Sequence, residues 1–201
     1  IIVFPNAHTR RLWTLEATEL ERTVDEQMPD DIKQNLADNE ENPDIKFVFA
    51  LLEYLKKKYT IDEERIFMQG MSNGNMFTSQ FARYFGNVLT AASGAGGGTP
   101  NPRLLYQDGK LKNEAGPVGM WTSIPEKNGC PPWCEFEDKL IYQYTRAYWN
   151  TLNGCSTDPE ICIIGEDAFA FYKGEKVDTV FFEIKNRDHG QTLDEAAIVW
   201  D

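Results

Sequence analysis

Three residues stand at a spacing that could do chemistry. Gly70, Ser72 and Gly74 form a G-x-S-x-G pattern within RIFMQGMSNGNMF, directly after a short apolar run and directly before an amphipathic one. That is the setting of a nucleophile elbow, where a serine sits on a strained turn between a strand and a helix. The turn is so tight that side chains two positions before and after the serine would collide, so glycine is needed at both. The hydroxyl is then exposed. The following helix aims backbone N–H groups and the positive end of its dipole at the site. The N–H of Asn73, next to the serine, is placed to serve as one oxyanion donor. The plain alternative is an ordinary serine in a glycine-rich loop, since the pattern arises by chance in roughly one chain of this length in fifteen.

A serine hydroxyl needs a base to become a nucleophile. The chain has only two histidines, His8 and His189. His189 lies in KNRDHGQT, after the last strand candidate and before the last helix candidate. A surface histidine beside Gly190 is the alternative there.

The elements that must position these residues can be read from periodicity. Ile1 to Phe4 reads as a buried strand ended by Pro5, and so as the continuation of a chain that starts earlier. Residues 14 to 44 are polar and acidic, a long excursion that could be a lid, a binding loop or a solvated insertion. Ile45, Val48, Leu52, Leu55 and Tyr59 recur at helical steps. Ile66 to Gln69 is a short strand. A second helix runs from about Gly74 and buries Met76, Phe77, Phe81 and Phe85. Residues 88–95 and 116–123 are strand candidates. Residues 135–152 read as a helix with Leu140, Tyr144, Tyr148 and Leu152 on one face. DAFAFYKGEKVDTVFFEI reads as two strands around a Lys-Gly-Glu turn, and a last helix starts near Thr192. Strands alternating with helices predict a mostly parallel sheet with helices on both faces.

Composition narrows the partners. The 201 residues, 41% of them hydrophobic, suffice for one domain with a sizeable core. A net charge of −12 repels phosphate and anionic lipid, which argues against nucleic acid and membrane as partners; it also simply keeps a chain soluble. No apolar run is long enough to span a bilayer. The four cysteines, Cys130, Cys134, Cys155 and Cys162, cluster in one third of the chain. They are compatible with two disulfides and an oxidising compartment, hence a secreted or periplasmic protein, and equally with free structural thiols. With so few histidines, a zinc site is a minor possibility, and no metal is expected.

Several of these stretches resemble one family. ALLEYLKKKYTIDEERIFMQGMSNG, with its helix, its Asp62-x-x-Arg65 turn, its short strand and its G-x-S-x-G, is similar to the α/β-hydrolase branch of polyhydroxybutyrate depolymerases, feruloyl esterases and acetylxylan esterases (carbohydrate esterase family one). YWNTLNGC resembles the Trp-x-x-x-Asn-Gly-Cys segment of that group, and DHGQT followed by AIVWD resembles its histidine loop and final helix. The resemblance implies an α/β-hydrolase-like fold over residues 1–201 as a single domain, with the family's first strands and its His-Gly oxyanion loop lying before Ile1. The chain order serine, acid, histidine in this fold selects His189 over His8. The family's acid follows a strand in a His-Gly-x-x-Asp pattern; here that place reads TSIPE, with Glu126 where aspartate is expected. Glu126 is one methylene longer and can still orient an imidazole.

The implied activity is hydrolysis of a carboxylic ester by Ser72, His189 and Glu126, with no cofactor. The implied substrates are feruloyl or acetyl esters of plant polysaccharide, or short hydroxyalkanoate esters. Trp121, Trp133 and Tyr172 could wall an acyl group or sugar ring, or be ordinary core aromatics. The altered acid position leaves another reading open, a non-catalytic hydrolase-like scaffold that binds carbohydrate or protein. An acyltransferase using the same triad is a third.

Overall fold

The structure, a computed structural model, describes residues 1–9, 11–16, 30, 35–96, 105–127, 135–136 and 139–189. The chain divides into two compact units, residues 1–63 and 64–201. In the first unit, two short strands pair in parallel, β1 (Leu15–Glu16) with β2 (Leu36–Ala37). Helix α1 (Pro43–Lys58) follows the predicted periodicity. Its start is built locally. Asn42 caps it by accepting from the N–H groups of Asp44 and Ile45, and Pro43 fills the first turn, where no N–H partner exists. Lys56, Lys57 and Lys58 complement the dipole at the other end. The buried Asp44 carboxylate accepts from the backbone N–H groups of His8 and Thr14, which ties the amino-terminal segment to the helix start.

The expected strand at Ile1–Phe4 does not form. Ile1, Ile2 and Phe4 stand 74, 80 and 90% exposed, with no ladder partner among the described residues. An apolar run is a strand only where a neighbour takes up its backbone groups.

The second unit is a mixed six-stranded sheet. Its members are β3 (Phe67–Met71), β4 (Ala91–Ala95), β7 (Gly119–Pro125), β10 (Glu160–Ile164), β11 (Asp167–Tyr172) and β12 (Thr179–Ile184). They lie in the order β10-β11-β12-β7-β4-β3. The four strands from β12 to β3 run parallel; β10, β11 and β12 form an antiparallel meander at the other side. Two small hairpins, β5–β6 (Tyr106–Gln107, Lys110–Leu111) and β8–β9 (Glu135–Phe136, Lys139–Leu140), lie outside the main sheet. The second of these occupies the start of the segment expected to be helical from 135, so helix α3 begins only at Ile141 and runs to Asn153. Helix α2 spans Asn73–Phe85.

Both helices of this unit pack on one face. Ala82 of α2 and Tyr148 and Trp149 of α3 join Ala92 and Met120 in a single buried cluster. The expected helices on both faces are therefore not seen among the described residues of this unit. The last expected helix, from Thr192, lies outside the described residues. The Asn-Gly-Cys segment has a clear structural task. Asn153 is fully buried; its side chain accepts from the N–H of Val118 and donates to Val118 O and Thr179 Oγ1. One amide thus pins the end of α3 to the starts of β7 and β12, where apolar contact alone would not fix the register.

Candidate active site

The parallel strands end in one row: Met71 of β3 pairs with Ala95 of β4, and Ala95 pairs with Ser123 of β7. Ser72 is the next residue after that row. Its backbone stands at φ 56°, ψ −121°, a region that costs a non-glycine residue of the order of 1–3 kcal/mol. The surroundings enforce it. The N–H of Ser72 donates to Ala95 O at 2.8 Å, and its carbonyl accepts the first helical bond of α2 from Met76 N at 3.1 Å. A Cβ on Gly70 would lie 2.2 Å from Gly74 O and 2.3 Å from Gly74 C. The strand and the helix thus approach backbone to backbone at these two glycines, which is why the strand could not close this turn with a side chain at residue 70.

A serine directly before a helix is most often a cap whose oxygen accepts from the first-turn N–H groups. Ser72 occupies the cap position and makes no such bond. Its hydroxyl is not used to finish the helix. Asn73 opens α2, so its N–H belongs to the first-turn donors at the positive end of the helix dipole.

His189 reaches the same strand end. Gly96, the residue after β4, has φ 57°, and its N–H donates to Ser123 O. A Cβ on Gly96 would lie 3.2 Å from Cε1 and 3.3 Å from Nδ1 of the His189 ring. The imidazole thus stands against the terminus of β4, one residue from the carbonyl that holds Ser72. The residues that separate serine and histidine in sequence are folded back by the sheet order, with β12 delivering residue 184 two strands from β4.

Glu126 directly follows β7, also at this end. Its N–H donates to Ile184 O, and the N–H of Lys127 to Arg187 O, which zips the exits of β7 and β12 together. Its carboxylate is engaged on both oxygens. Oε2 accepts from the N–H of Asn186 at 2.9 Å and Oε1 from Lys185 Nζ at 3.1 Å. The Asn186 N–H, and then the Lys185 ammonium, hold its pKa below the ordinary carboxylate range. Lys185 also binds Glu183, and these two carboxylates, Glu183 first, raise its own pKa. Asp167 completes the tip by accepting from the N–H of Lys185.

The aromatic residues fall elsewhere. Trp121 lies mid-strand in β7, edge-on to Phe169 and Phe182 at 6.0 and 6.3 Å between ring centres. It also lines a groove of about 200 Å³ with Phe67, Gln69, Ser93 and Val180, along rows that precede the strand ends. Tyr172 is buried against Phe181. Trp133, Cys130 and Cys134 lie outside the described residues. Cys155 and Cys162 carry free thiols. Among the described residues no group of His, Cys, Asp and Glu could hold a metal ion. Asp167, Lys185 and Asn186 were not singled out by the sequence. The signal available was the run of charged residues after β12, which reads as a solvated turn until β7 is known to end beside it.

No family model matches this sequence, and no curated protein does. Among solved structures, the acetyl xylan esterase from Aspergillus awamori is similar, with a TM-score of 0.55 at 14% identity over 77% of this chain and 65% of that one. The chain thus shares, at a distance, the α/β fold of an esterase and spans about two thirds of that protein's structure.

Proposed function

We propose that this chain is a serine carboxylic-ester hydrolase in which Ser72 is the nucleophile, His189 the general base and Glu126 the acid. The observation that carries the reading is the backbone of Ser72: a left-handed serine at a strand-to-helix turn, held by a glycine–glycine contact, with its hydroxyl withheld from capping. Strain of this kind is kept where a side chain must be presented. Ser72 Oγ attacks the ester carbonyl while His189 accepts its proton. The tetrahedral oxyanion forms beside the N–H of Asn73. His189 then protonates the departing alkoxide, and water hydrolyses the acyl-serine by the same steps in reverse. Glu126 steadies the imidazolium, which requires its carboxylate to turn from Lys185 and Asn186.

The similar fold of an acetyl xylan esterase supports an acetyl or other small acyl ester, on a polysaccharide or a small molecule. No cofactor takes part in this chemistry. One observation favours a second reading, a hydrolase-like binding scaffold without catalysis: both oxygens of Glu126 are already committed. A fluorophosphonate probe separates the two. Labelling at Ser72, together with p-nitrophenyl acetate hydrolysis that falls by roughly four powers of ten in Ser72→Ala while the circular dichroism spectrum is unchanged, is the expected result. An unlabelled Ser72 in folded protein leaves the scaffold reading.

A further inference from the structure

Among the described residues, the six-stranded sheet ends at β10, Glu160–Ile164, whose outer side pairs with no strand. Edge strands in soluble proteins are usually blunted by lysine, proline, a bulge or a cover. β10 reads Glu-Ile-Cys-Ile-Ile; Pro159 and the charged Glu160 stand at its start, and the four residues after them carry no such feature. All five residues are exposed; Ile161, Ile163 and Ile164 stand 56, 60 and 60% open, and Phe171 of β11, beside Glu160, 40%. The strand is regularly paired on its inner side over its whole length, from Glu160↔Phe171 to Ile164↔Asp167, so its backbone is already extended and costs little more to order.

We propose that β10 is a dimerisation edge, pairing antiparallel with β10 of a second copy of this chain across a twofold axis at Cys162. The register follows from symmetry. An antiparallel ladder alternates hydrogen-bonded and non-hydrogen-bonded pairs. A twofold axis between two residues would make two adjacent pairs identical, which the alternation forbids, so a residue must lie on the axis. Only Cys162 on the axis pairs the whole strand. Ile161 then faces Ile163 of the other copy, Cys162 faces Cys162, and Glu160 faces Ile164. Moving the axis to Ile163 would pair only Cys162 to Ile164 within the strand and set Ile161 and Glu160 against the turn residues Gly165 and Glu166 of the other copy. The second copy is selected as occupant by this self-complementarity: the same short segment supplies apolar partners on both faces of the joined sheet, Ile161 and Ile163 on one, Cys162 and Ile164 on the other.

The area sets the strength. Covering three isoleucines and part of Phe171 removes of the order of 400 Å² per copy from water, below the ~800 Å² per partner of a standard interface. The dimer is therefore reversible and concentration-dependent. Each copy carries a net charge of −12, so added salt should tighten the association by screening repulsion.

Sedimentation velocity of the full chain from about 1 µM to about 200 µM should show a monomer–dimer equilibrium that shifts toward dimer with salt. Ile163→Lys, at an exposed position, should leave the chain folded by circular dichroism and monomeric throughout; Ile161→Lys is the second variant. Cys162→Ser should keep the dimer. Paired cysteines on the axis would have Cα atoms about 4.5–5.5 Å apart, within disulfide range. Diamide should therefore link the copies: two Cys162 thiols form one S–S bond, and their two protons and two electrons reduce the N=N bond to the hydrazine. Peptide mapping should find Cys162 joined to Cys162. A chain that stays monomeric at about 200 µM, a dimer indifferent to both lysine variants, or a cross-link that omits Cys162 overturns the proposal. None of these outcomes bears on the labelling of Ser72, so this proposal and the esterase reading fail separately.

Discussion

The elbow at Ser72 and the tip at Glu126 stand at the same end of one sheet and are held by opposite means. The elbow is fixed by backbone against backbone: Gly70 on Gly74, Ser72 N–H on Ala95 O, and no charged group in any of these contacts. The tip is fixed by charge: a carboxylate shared between an ammonium and one peptide N–H, at the surface, with a second carboxylate competing for the same lysine. Close backbone contact cannot be rearranged without moving a strand or a helix. An exposed ion pair is worth little and exchanges readily with water. The serine is thus preorganised, whereas the carboxylate is in a position from which a short side-chain rotation could move it. Under the proposed esterase reading this division suits the chemistry, because the serine would have to be presented before substrate arrives and the acid would act only through the histidine.

The comparison is broken most severely at Gly70. Gly70→Ala places a methyl group 2.2 Å from Gly74 O and 2.7 Å from Thr78 Oγ1. Thr78 can turn aside; the Gly74 carbonyl, inside α2, cannot. The expected cost is roughly 3 kcal/mol or more, the upper range for overpacking, with complete loss of Ser72 labelling. Chemical denaturation measures the first and the fluorophosphonate probe the second. A stable, labelled Gly70→Ala protein would mean that the turn is looser than its backbone contacts describe.

Glu126→Gln tests the other side. The substitution keeps shape, and the fold should survive it, since the zipped backbone bonds of Glu126 and Lys127 remain. With Glu126 as the acid, kcat for p-nitrophenyl acetate should fall by roughly 10³–10⁴ with little change in KM, because a neutral amide no longer stabilises the imidazolium. A fall of less than about threefold would make the tip purely structural and move the acid elsewhere.

The same division explains what could be read from the sequence. The elbow was legible because its constraints are steric and local: a side chain at Gly70 would run into the backbone of Gly74, so the pattern states the geometry. Helices α1 and α2 were legible from periodicity; the cap at Asn42-Pro43-Asp44 was not read, because those residues close the polar run of the excursion. Strand β10 was missed although Gly165 and Glu166 between two apolar runs carry the signal of a two-residue hairpin turn, with Gly165 at φ 65°. The Ile1–Phe4 run misled in the other direction, since hydrophobicity was present without a partner strand. The engagement of Glu126 could not be read at all. It depends on β7 and β12 being sheet neighbours, and nothing local in TSIPE or in Lys185-Asn186 encodes that pairing.

The smallest expected effect sharpens the view of the tip as an electrostatic device. The Asn186 N–H and the Lys185 ammonium favour the charged form of Glu126, so its folded pKa lies below the unfolded one. A depressed carboxylate stabilises the fold above its unfolded pKa, about 4.3, and that contribution is lost as pH falls through the folded value. Lys185 works in the opposite sense: its raised pKa contributes stability that is lost only as pH rises through its folded value, far from this window. In the acid range Glu126 alone of the pair therefore titrates. Thermal unfolding at neutral pH should place Glu126→Gln slightly below the parent, and the two curves should converge as pH falls through the lowered folded pKa of Glu126, below which the parent's carboxylate is protonated and no longer differs in charge from the amide. The group is solvent-exposed, so the gap at neutral pH should be small and should shrink further in high salt. A gap that is constant from neutral to acid pH would show that Glu126 holds the tip by shape and hydrogen bonding alone, and the contrast with the elbow would lose its electrostatic half.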